Sequence, residues 1–362
     1  MNEISMRRYY FNEEIRFNGE EFNEYFIFLR KLTYLVKTKY FNLSDINTIM
    51  KERGIWRPFK KGKDRNPDFI HVDGDFSYDP KLYKYRSLLK NLLVNNDLGI
   101  TNKDNLYKNL SKIEGGKKYL LENYNITIKE DKEKYSHLFN EKTPWIVKPV
   151  GESCGKGIEI ITTFEEFKNY FLHLHNKHNI YSEKFVLQKY ITNPLLFEGR
   201  KFHMRYHMIC YNDEFLPLEN AQVITARKKF NLKDLKDKGV HDSHNEGSLK
   251  GVYFPYSFDL TKKEVEKVNK QIVHMLTKCV SLVNFDCWEE SKKCYHVFGA
   301  DIMVLDDLSV KILEINRKIG MKTGQETKYV NTDESYNTHL FRQEMEFVVD
   351  KIFPPSRKIS LH

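Results

Sequence analysis

The stretch Phe298-Gly-Ala-Asp-Ile-Met-Val-Leu-Asp-Asp-Leu-Ser-Val-Lys-Ile-Leu-Glu-Ile-Asn316 consists of two apolar runs separated by a short polar segment, which predicts a β-hairpin. A four-residue reversal at residues 306–309 would place Asp301 opposite Glu314. Because side chains two residues apart on a strand share a face, Asn316 should point the same way as Glu314. The opposite face would then carry Ile302, Val304, Leu313 and Ile315.

Two carboxylates and an amide on one patch of a hairpin form a set of oxygen ligands. Hard cations such as Mg²⁺ prefer such ligands and are often held by one or two carboxylates together with substrate phosphates. The sequence therefore predicts a magnesium site made by Asp301, Glu314 and Asn316. The alternative is an edge hairpin whose carboxylates merely face water.

Basic residues near two further predicted strands form a second group. Lys148 ends the strand Trp145–Pro149, and Lys156 lies in the glycine-containing loop that follows. Lys201 and Arg205 are four residues apart on another predicted strand and would share a face. Backbone N–H groups in a glycine loop, together with such cations and a metal, are what phosphoryl transfer requires. Each lysine taken singly is more simply explained as a solvated surface residue.

Composition limits the class of protein. The chain has 362 residues, 40% hydrophobic and 14% aromatic, which favours two or three folded domains over disorder. No apolar run approaches the ~20 residues of a membrane span, and the first residues do not resemble a signal peptide. We therefore expect a cytoplasmic protein whose five scattered cysteines are reduced thiols. They are Cys154, Cys210, Cys279, Cys287 and Cys294.

The net charge is +9, with a pI near 9.0, which favours anionic partners such as nucleic acid, acidic lipid or an acidic protein segment. The alternative is an excess of lysine spread over solvated faces. No nucleic-acid-binding motif stands out, so nucleic acid ranks last among the partners. Strands alternating with helices, together with antiparallel hairpins, predict a mixed α/β protein. Helices are expected at residues 102–121, from 163, at 261–282 and at 340–352.

Several motifs, in this order, resemble those of the tubulin tyrosine ligase and ligase-like family of ATP-grasp enzymes. They are Trp145–Pro149 with its glycine loop, Leu187–Leu196, Gly199–Arg205, Phe298–Asp301 and Leu313–Asn316. Further similar segments lie at residues 53–56, 102–110 and 347–355. The resemblance implies an α+β ATP-grasp fold in which an N-terminal α/β domain precedes two nucleotide-clamping lobes. We place these units at residues 1–95, 96–191 and 192–362.

The resemblance also assigns roles to individual residues. Its ATP contacts correspond to Lys103, Lys148, Gln188, Lys189, Ile191, Lys201 and Asp301, with Lys156 added from the loop pattern. Its catalytic positions correspond to Lys201, Arg205, Arg227 and Glu314. Its Mg²⁺ ligands correspond to Asp301, Glu314 and Asn316, the three residues that the hairpin pairing selected independently.

The implied activity is an ATP- and Mg²⁺-dependent ligation through an acyl phosphate, in which an amino acid, Tyr or Glu, is joined to a protein carboxylate. The implied partner is tubulin or another protein with an acidic tail, and the location is cytoplasmic or associated with the cytoskeleton. Tyrosine ligation is the leading hypothesis. The alternatives are a glutamylase-like ligase and a catalytically weakened tubulin-binding protein that keeps the fold.

Four departures from the family pattern concern the substrate more than ATP. His203 stands where the family usually has Asp, and Arg227 is out of the usual register of the family arginine. The usual Thr-Asn pair is not evident in residues 241–245. Arg317 and Lys318 replace the small residues expected after Asn316.

Overall fold

The computed structural model describes residues 31–38, 41–73, 80–91, 99–141, 143–152, 155–174, 180–212, 214–243, 249, 251–287, 291–317 and 328–355. The strands are β1 Leu32–Lys37, β2 Trp56–Pro58, β3 Phe69–Val72, β4 Ser87–Lys90, β5 Asn123–Thr127, β6 Trp145–Pro149, β7 Glu159–Ile161, β8 Lys184–Lys189, β9 Leu196–Phe197, β10 Arg200–Tyr211, β11 Glu214–Pro217, β12 Ala221–Thr225, β13 Tyr253–Phe254, β14 Ser291–Cys294, β15 His296–Val304 and β16 Val310–Asn316.

The helices are α1 Leu43–Glu52, α2 Pro80–Tyr83, α3 Lys103–Leu110, α4 Phe164–Leu172, α5 Lys238–His241, α6 Lys262–Val280, α7 Tyr336–Glu344 and α8 Asp350–Ile352. A π-helical segment at Met345–Val349 joins α7 to α8, and 3₁₀ segments occur at Lys117–Tyr119 and Glu133–Phe139. This mixture confirms the predicted α+β class. None of the helices in the described part of the chain combines the length and apolar character needed to cross a membrane.

The first sheet is parallel and has the strand order β14-β4-β3-β1-β2. Four of its strands come from residues 32–90, and the fifth, β14, comes from far along the chain. Its core also includes side chains of α7 and the segment after it, such as Leu340 and Val348. The N-terminal α/β sheet is thus completed and covered by C-terminal sequence. The division at residues 95 and 191 stays a prediction.

The other two sheets are antiparallel and face each other across the cleft that holds the candidate site. The smaller has the order β5-β8-β6-β7. The larger is built around the twelve-residue strand β10, which pairs with β12 on one side and β15 on the other, and β15 pairs with β16. Alternation along β10 buries Phe202, Met204 and Tyr206 in the core, whereas Lys201 and His203 face the cleft.

The hairpin of β15 and β16 pairs Asp301 with Glu314 as predicted, but by a different route. The predicted four-residue reversal is wrong. The loop has three residues between Leu305 and Ser309, with Leu308 in the left-handed region at φ 64°. A β-bulge next to Asp301 shifts the register by one residue and restores the expected pair. The bulge also turns Leu313 into the cleft, so its predicted place on the opposite face is wrong as well.

Two other expectations are corrected. The helix predicted over residues 102–121 ends at Leu110, turns follow, and the positive φ of Gly115 prevents the helix from resuming there. Cys287 and Cys294 form a disulfide, so the prediction that all cysteines are reduced is wrong for this pair. Buried Cys210 and Cys279 are free thiols as expected, and Cys154 lies outside the described residues.

Candidate active site

A cavity of about 520 Å³ lies between the two antiparallel sheets, a size within the usual range for small-molecule sites. The smaller sheet contributes Ile146, Lys148, Ile160 and Gln188 to its wall. The larger sheet contributes Lys201, His203, Asp301, Met303, Leu313 and Glu314. The cavity therefore has an apolar part and a highly charged part, and both depend on the pairing of strands that are distant in sequence.

The carboxylates of the hairpin each have a cationic partner. The guanidinium of Arg205 makes a two-pronged contact with Asp301, with Nη2 2.9 Å from Oδ2, and both residues are buried. Lys103 Nζ lies 2.9 Å from Glu314 Oε2. Asn316 Nδ2 lies 3.3 Å from an oxygen of each carboxylate, so the predicted trio does converge.

Helix α3 brings the first lysine to this hairpin. Lys103 is its first residue, and Tyr107, one turn later on the same face, donates its hydroxyl proton to the carbonyl oxygen of Leu313 at 2.6 Å. That bond fastens the helix to the bulge of β16. Burial would raise the pKa of Glu314, but Lys103, Arg205 and Lys148 hold it well below its ordinary value. The carboxylate is therefore ionised at neutral pH.

Two more lysines reach the charged part from opposite sheets. Lys148 Nζ donates to Gln188 Oε1 at 2.7 Å, and Lys201 Nζ donates to the hydroxyl of Tyr190 at 2.8 Å. Burial lowers the pKa of Lys148 to about 8 although Glu314 opposes the shift. Burial, reinforced by repulsion from Lys148, lowers the pKa of Lys201 to about 7. A polyanion entering this space would relieve that repulsion.

The donor set suits a hard divalent cation. Asp301 and Glu314 offer carboxylate oxygens within one small patch beside the amide of Asn316, and the neighbouring lysines could bind the phosphates that usually complete such a site. No group of three or more His, Cys, Asp or Glu side chains able to hold a metal occurs among the described residues. A site here would thus depend on two carboxylates, the amide and the substrate. The residues fit Mg²⁺ on those terms.

The apolar part suits a flat heterocycle. The predicted hinge residues Gln188, Lys189 and Ile191 all line the cavity, and Lys189 also lies 3.6 Å from Glu122 at the edge. Sequence reasoning missed most of the apolar wall. It includes Leu121, Ile146, Ile158, Ile160, Met303 and Leu313. Only the alternation within Trp145–Pro149 could have indicated one of them, Ile146.

Four of the predicted site residues do not line the cavity, and one of them, Asn316, instead contacts the carboxylates of Asp301 and Glu314. Lys156 is exposed and lies 3.4 Å from Glu152, although Gly155 before it does line the wall. Arg227 is exposed just after β12. Arg205 lies behind Asp301, where it orients that carboxylate rather than facing the open space.

Sequence reasoning also missed a whole segment of the wall. Residues 235–243, between β12 and α6, contribute Leu235, Lys236, Lys238, His241, Asp242 and Ser243. The Ser243 hydroxyl lies 2.6 Å from His203 Nδ1, and the second ring nitrogen of His203 lies 4.0 Å from Asp301 Oδ2. The sequence of this segment is polar and typical of a surface loop, and only the departure from the family pattern at residues 241–245 indicated part of it beforehand.

Comparison with known proteins places these observations in a family. The model of the Tubulin-tyrosine ligase family matches residues 91–329. A probable tubulin–tyrosine ligase of Saccharomyces cerevisiae is 26% identical over 59% of this chain and 34% of its own length. Tubulin glycylase 3C of Tetrahymena thermophila is 28% identical over 54% of this chain and 20% of its own length. A probable tubulin polyglutamylase of Homo sapiens is 26% identical over 48% of this chain and 30% of its own length. The matches span about a third or less of these relatives.

Proposed function

The chain belongs to the tubulin-tyrosine ligase family, and on that basis we propose that it is an ATP- and Mg²⁺-dependent ligase that joins an amino acid to a protein carboxylate. One observation carries the proposal beyond the family. A single cavity with an apolar part also holds Lys103, Lys148, Lys201 and the paired carboxylates of Asp301 and Glu314. That combination fits the base, the phosphates and the metal of a nucleoside triphosphate together.

In this proposal the hinge residues Gln188, Lys189 and Ile191 hold the base together with the apolar wall. The phosphates are bound by Lys103, Lys148 and Lys201. The lysines that line the cavity outnumber the carboxylates, six to four, and Arg205 neutralises Asp301, so the cavity attracts a polyanion. Asp301, Glu314 and Asn316 would hold Mg²⁺, which neutralises phosphate charge when it is bound. Arg205 orients the carboxylate of Asp301, and Lys103 helps to keep Glu314 ionised.

The proposed reaction has two steps. An oxygen of the acceptor carboxylate attacks the γ-phosphorus, the bond to the ADP oxygen breaks, and an acyl phosphate forms. The amine of the amino acid then attacks the acyl carbon, inorganic phosphate leaves, and the amine loses a proton to form an amide. The cavity amines stabilise the negative charge that develops on the phosphoryl oxygens in the first step.

For the acceptor and the amino acid we propose the glutamate-rich tail of tubulin and tyrosine, with glutamate as the alternative. The basic surface of the chain, with net charge +9, complements an acidic tail. The relatives carry the names of a tyrosine ligase, a glycylase and a polyglutamylase, so glycine joins the amino acids to be tested.

The test is an incorporation assay. The protein is incubated with MgATP, tubulin lacking its terminal tyrosine, and labelled Tyr, Glu or Gly in separate reactions, and label in tubulin and ADP are both measured. We expect one amino acid to be incorporated, and Glu314→Gln to lower the rate at least ~100-fold because a metal-binding charge is lost. Exposed Glu346→Gln is the matched control and should retain activity. Full activity of Glu314→Gln would refute the site.

A second candidate function is tubulin binding without efficient ligation. It is favoured by the exposed position of Arg227 outside the cavity and by His203 at a position where the family usually has Asp. It predicts salt-sensitive binding to tubulin with no amino acid incorporated in any of the three reactions. Incorporation above the Glu314→Gln background would exclude it.

A further inference from the structure

A chain of hydrogen bonds leaves the charged part of the cavity through three side chains. Lys201 Nζ lies 2.8 Å from the Tyr190 hydroxyl, which lies 2.7 Å from His241 Nδ1. His241 Nε2 lies 2.9 Å from the carbonyl oxygen of Asp234. The ammonium of Lys201 also lies 4.1 Å from the centre of the Tyr190 ring.

The direction of every bond in this chain follows from the chemistry of the groups. An ammonium has no lone pair, so the Tyr190 oxygen accepts from Lys201 and its own proton must point elsewhere. His241 Nδ1 accepts a hydrogen bond from that hydroxyl, which requires a neutral imidazole protonated on Nε2. The Nε2–H then donates to the carbonyl of Asp234, and this bond holds the tautomer that Tyr190 needs.

The three residues belong to parts of the fold that are otherwise separate. Tyr190 follows β8 of the smaller sheet, Lys201 lies on β10 of the larger sheet, and His241 ends the short helix α5. The T-shaped packing of the Tyr190 and His241 rings, with centres 5.6 Å apart, adds to the connection. The hydrogen bonds therefore join the two sheets and residues 234–243, the segment that closes the cavity.

That closing segment has a second attachment to the smaller sheet. Lys236 Nζ donates to the carbonyl oxygen of Ile160 at 2.6 Å and lies 3.1 Å from Glu166 Oε1. Glu166 is fixed in turn by the backbone N–H of Thr162 at 2.8 Å. Residues 234–243 are thus attached to the smaller sheet through Lys236 and to Tyr190, the partner of Lys201, through His241.

We propose that Tyr190 and His241 are positioning residues that together hold the Lys201 ammonium toward the phosphates and secure residues 234–243 over the cavity. The consequence of this positioning, a lower KM for ATP, rests on the proposed function. Without the phenol and the imidazole, the flexible lysine side chain can still contact a phosphate but loses the partner that fixes its direction.

The first test needs no catalysis. Amine-reactive labelling by trinitrobenzenesulfonate, read by mass spectrometry, compares Lys201 with Lys148, which lies in the same cavity and bonds to Gln188 instead. Tyr190→Phe and His241→Phe should each raise labelling of Lys201 at least ~5-fold and leave Lys148 unchanged. His241→Asn places an amide oxygen near the position of Nδ1 and should restore the rate of the wild type. Unchanged labelling, or an equal rise at both lysines, would overturn the proposal.

The second test uses steady-state ligation. Tyr190→Phe and His241→Phe should each raise the KM for ATP about tenfold, leave the KM for the acceptor unchanged, and give no further loss when combined, because both remove one connection. His241→Asn should recover most of the loss. Additive effects, or a failure of His241→Asn to do better than His241→Phe, would contradict the positioning role of Tyr190 and His241. If the wild type shows no ligation, the proposed function fails, while the labelling result still decides that positioning role.

Discussion

The lowered pKa values of two cavity lysines predict that nucleotide binding takes up protons from solvent. In the free protein, burial brings the pKa of Lys148 to about 8 and that of Lys201 to about 7. At pH 8, about half of the Lys148 side chains and about nine tenths of the Lys201 side chains would then be neutral. A bound triphosphate, itself fully ionised at this pH, favours the ammonium form of both and moves each pKa back toward its ordinary value near 10.5.

The expected uptake is therefore about 1.4 protons per nucleotide at pH 8 and close to zero at pH 6, where both lysines are already charged. Because the complex binds more protons than the free protein, affinity falls as pH rises. By linkage, the decrease near pH 8 should exceed about tenfold for each pH unit. Arginine does not lose its proton in this range. At pH 8, Lys201→Arg should therefore take up about half a proton per nucleotide, and Lys148→Arg about nine tenths of a proton.

The assay is isothermal titration calorimetry of a non-hydrolysable ATP analogue with Mg²⁺, in two buffers of different ionisation enthalpy. The difference between the two observed enthalpies gives the number of protons taken up. Exposed Lys156→Arg is the matched control and should behave as the wild type. Uptake at pH 8 that stays the same in Lys201→Arg would refute the reasoning, whereas the absence of any binding would instead argue against the proposed function.

Three further predictions concern residues around the site and the fold. Glu344→Gln should cost ~3–5 kcal/mol in urea unfolding, because Glu344 lies 3.1 Å from buried His71. Burial opposes the charged form of His71, but Glu344 helps to hold its pKa above the ordinary value. The stability that this pair contributes is therefore complete below about pH 6.5 and is lost as pH rises through the higher pKa of the folded state. A stability loss in Glu344→Gln that grows with pH would contradict this. Reducing the Cys287–Cys294 disulfide should lower stability by ~2 kcal/mol, as expected for a short closed loop, and Cys287→Ser should be insensitive to reductant. Lys156→Ala should change ATP affinity less than about twofold, because the side chain is exposed and does not line the cavity, and a tenfold loss would restore its predicted role.

In the hairpin of β15 and β16, the local sequence pattern predicted the correct residue pair although the predicted loop and register were wrong. Alternation and spacing predicted the pairing of Asp301 with Glu314, and the structure has it. The loop length and the bulge were not predictable, because each changes the register by one residue and the two changes cancel at this pair. Leu313 reveals the error, since the bulge turns its side chain toward the cavity.

By itself, the sequence determined the α+β class, the family, most strand positions and the set of charged residues on β6, β10, β15 and β16, because period-two alternation and local motifs record which face of a strand is buried. Tertiary structure alone decided which cations meet which anions. Lys103 reaches Glu314 only because α3 is fastened to the bulge, and Lys201 meets Tyr190 and His241 only because two sheets and a distant segment close on one cavity. Contacts between residues far apart in sequence depend on packing of whole elements, and no local pattern encodes that packing.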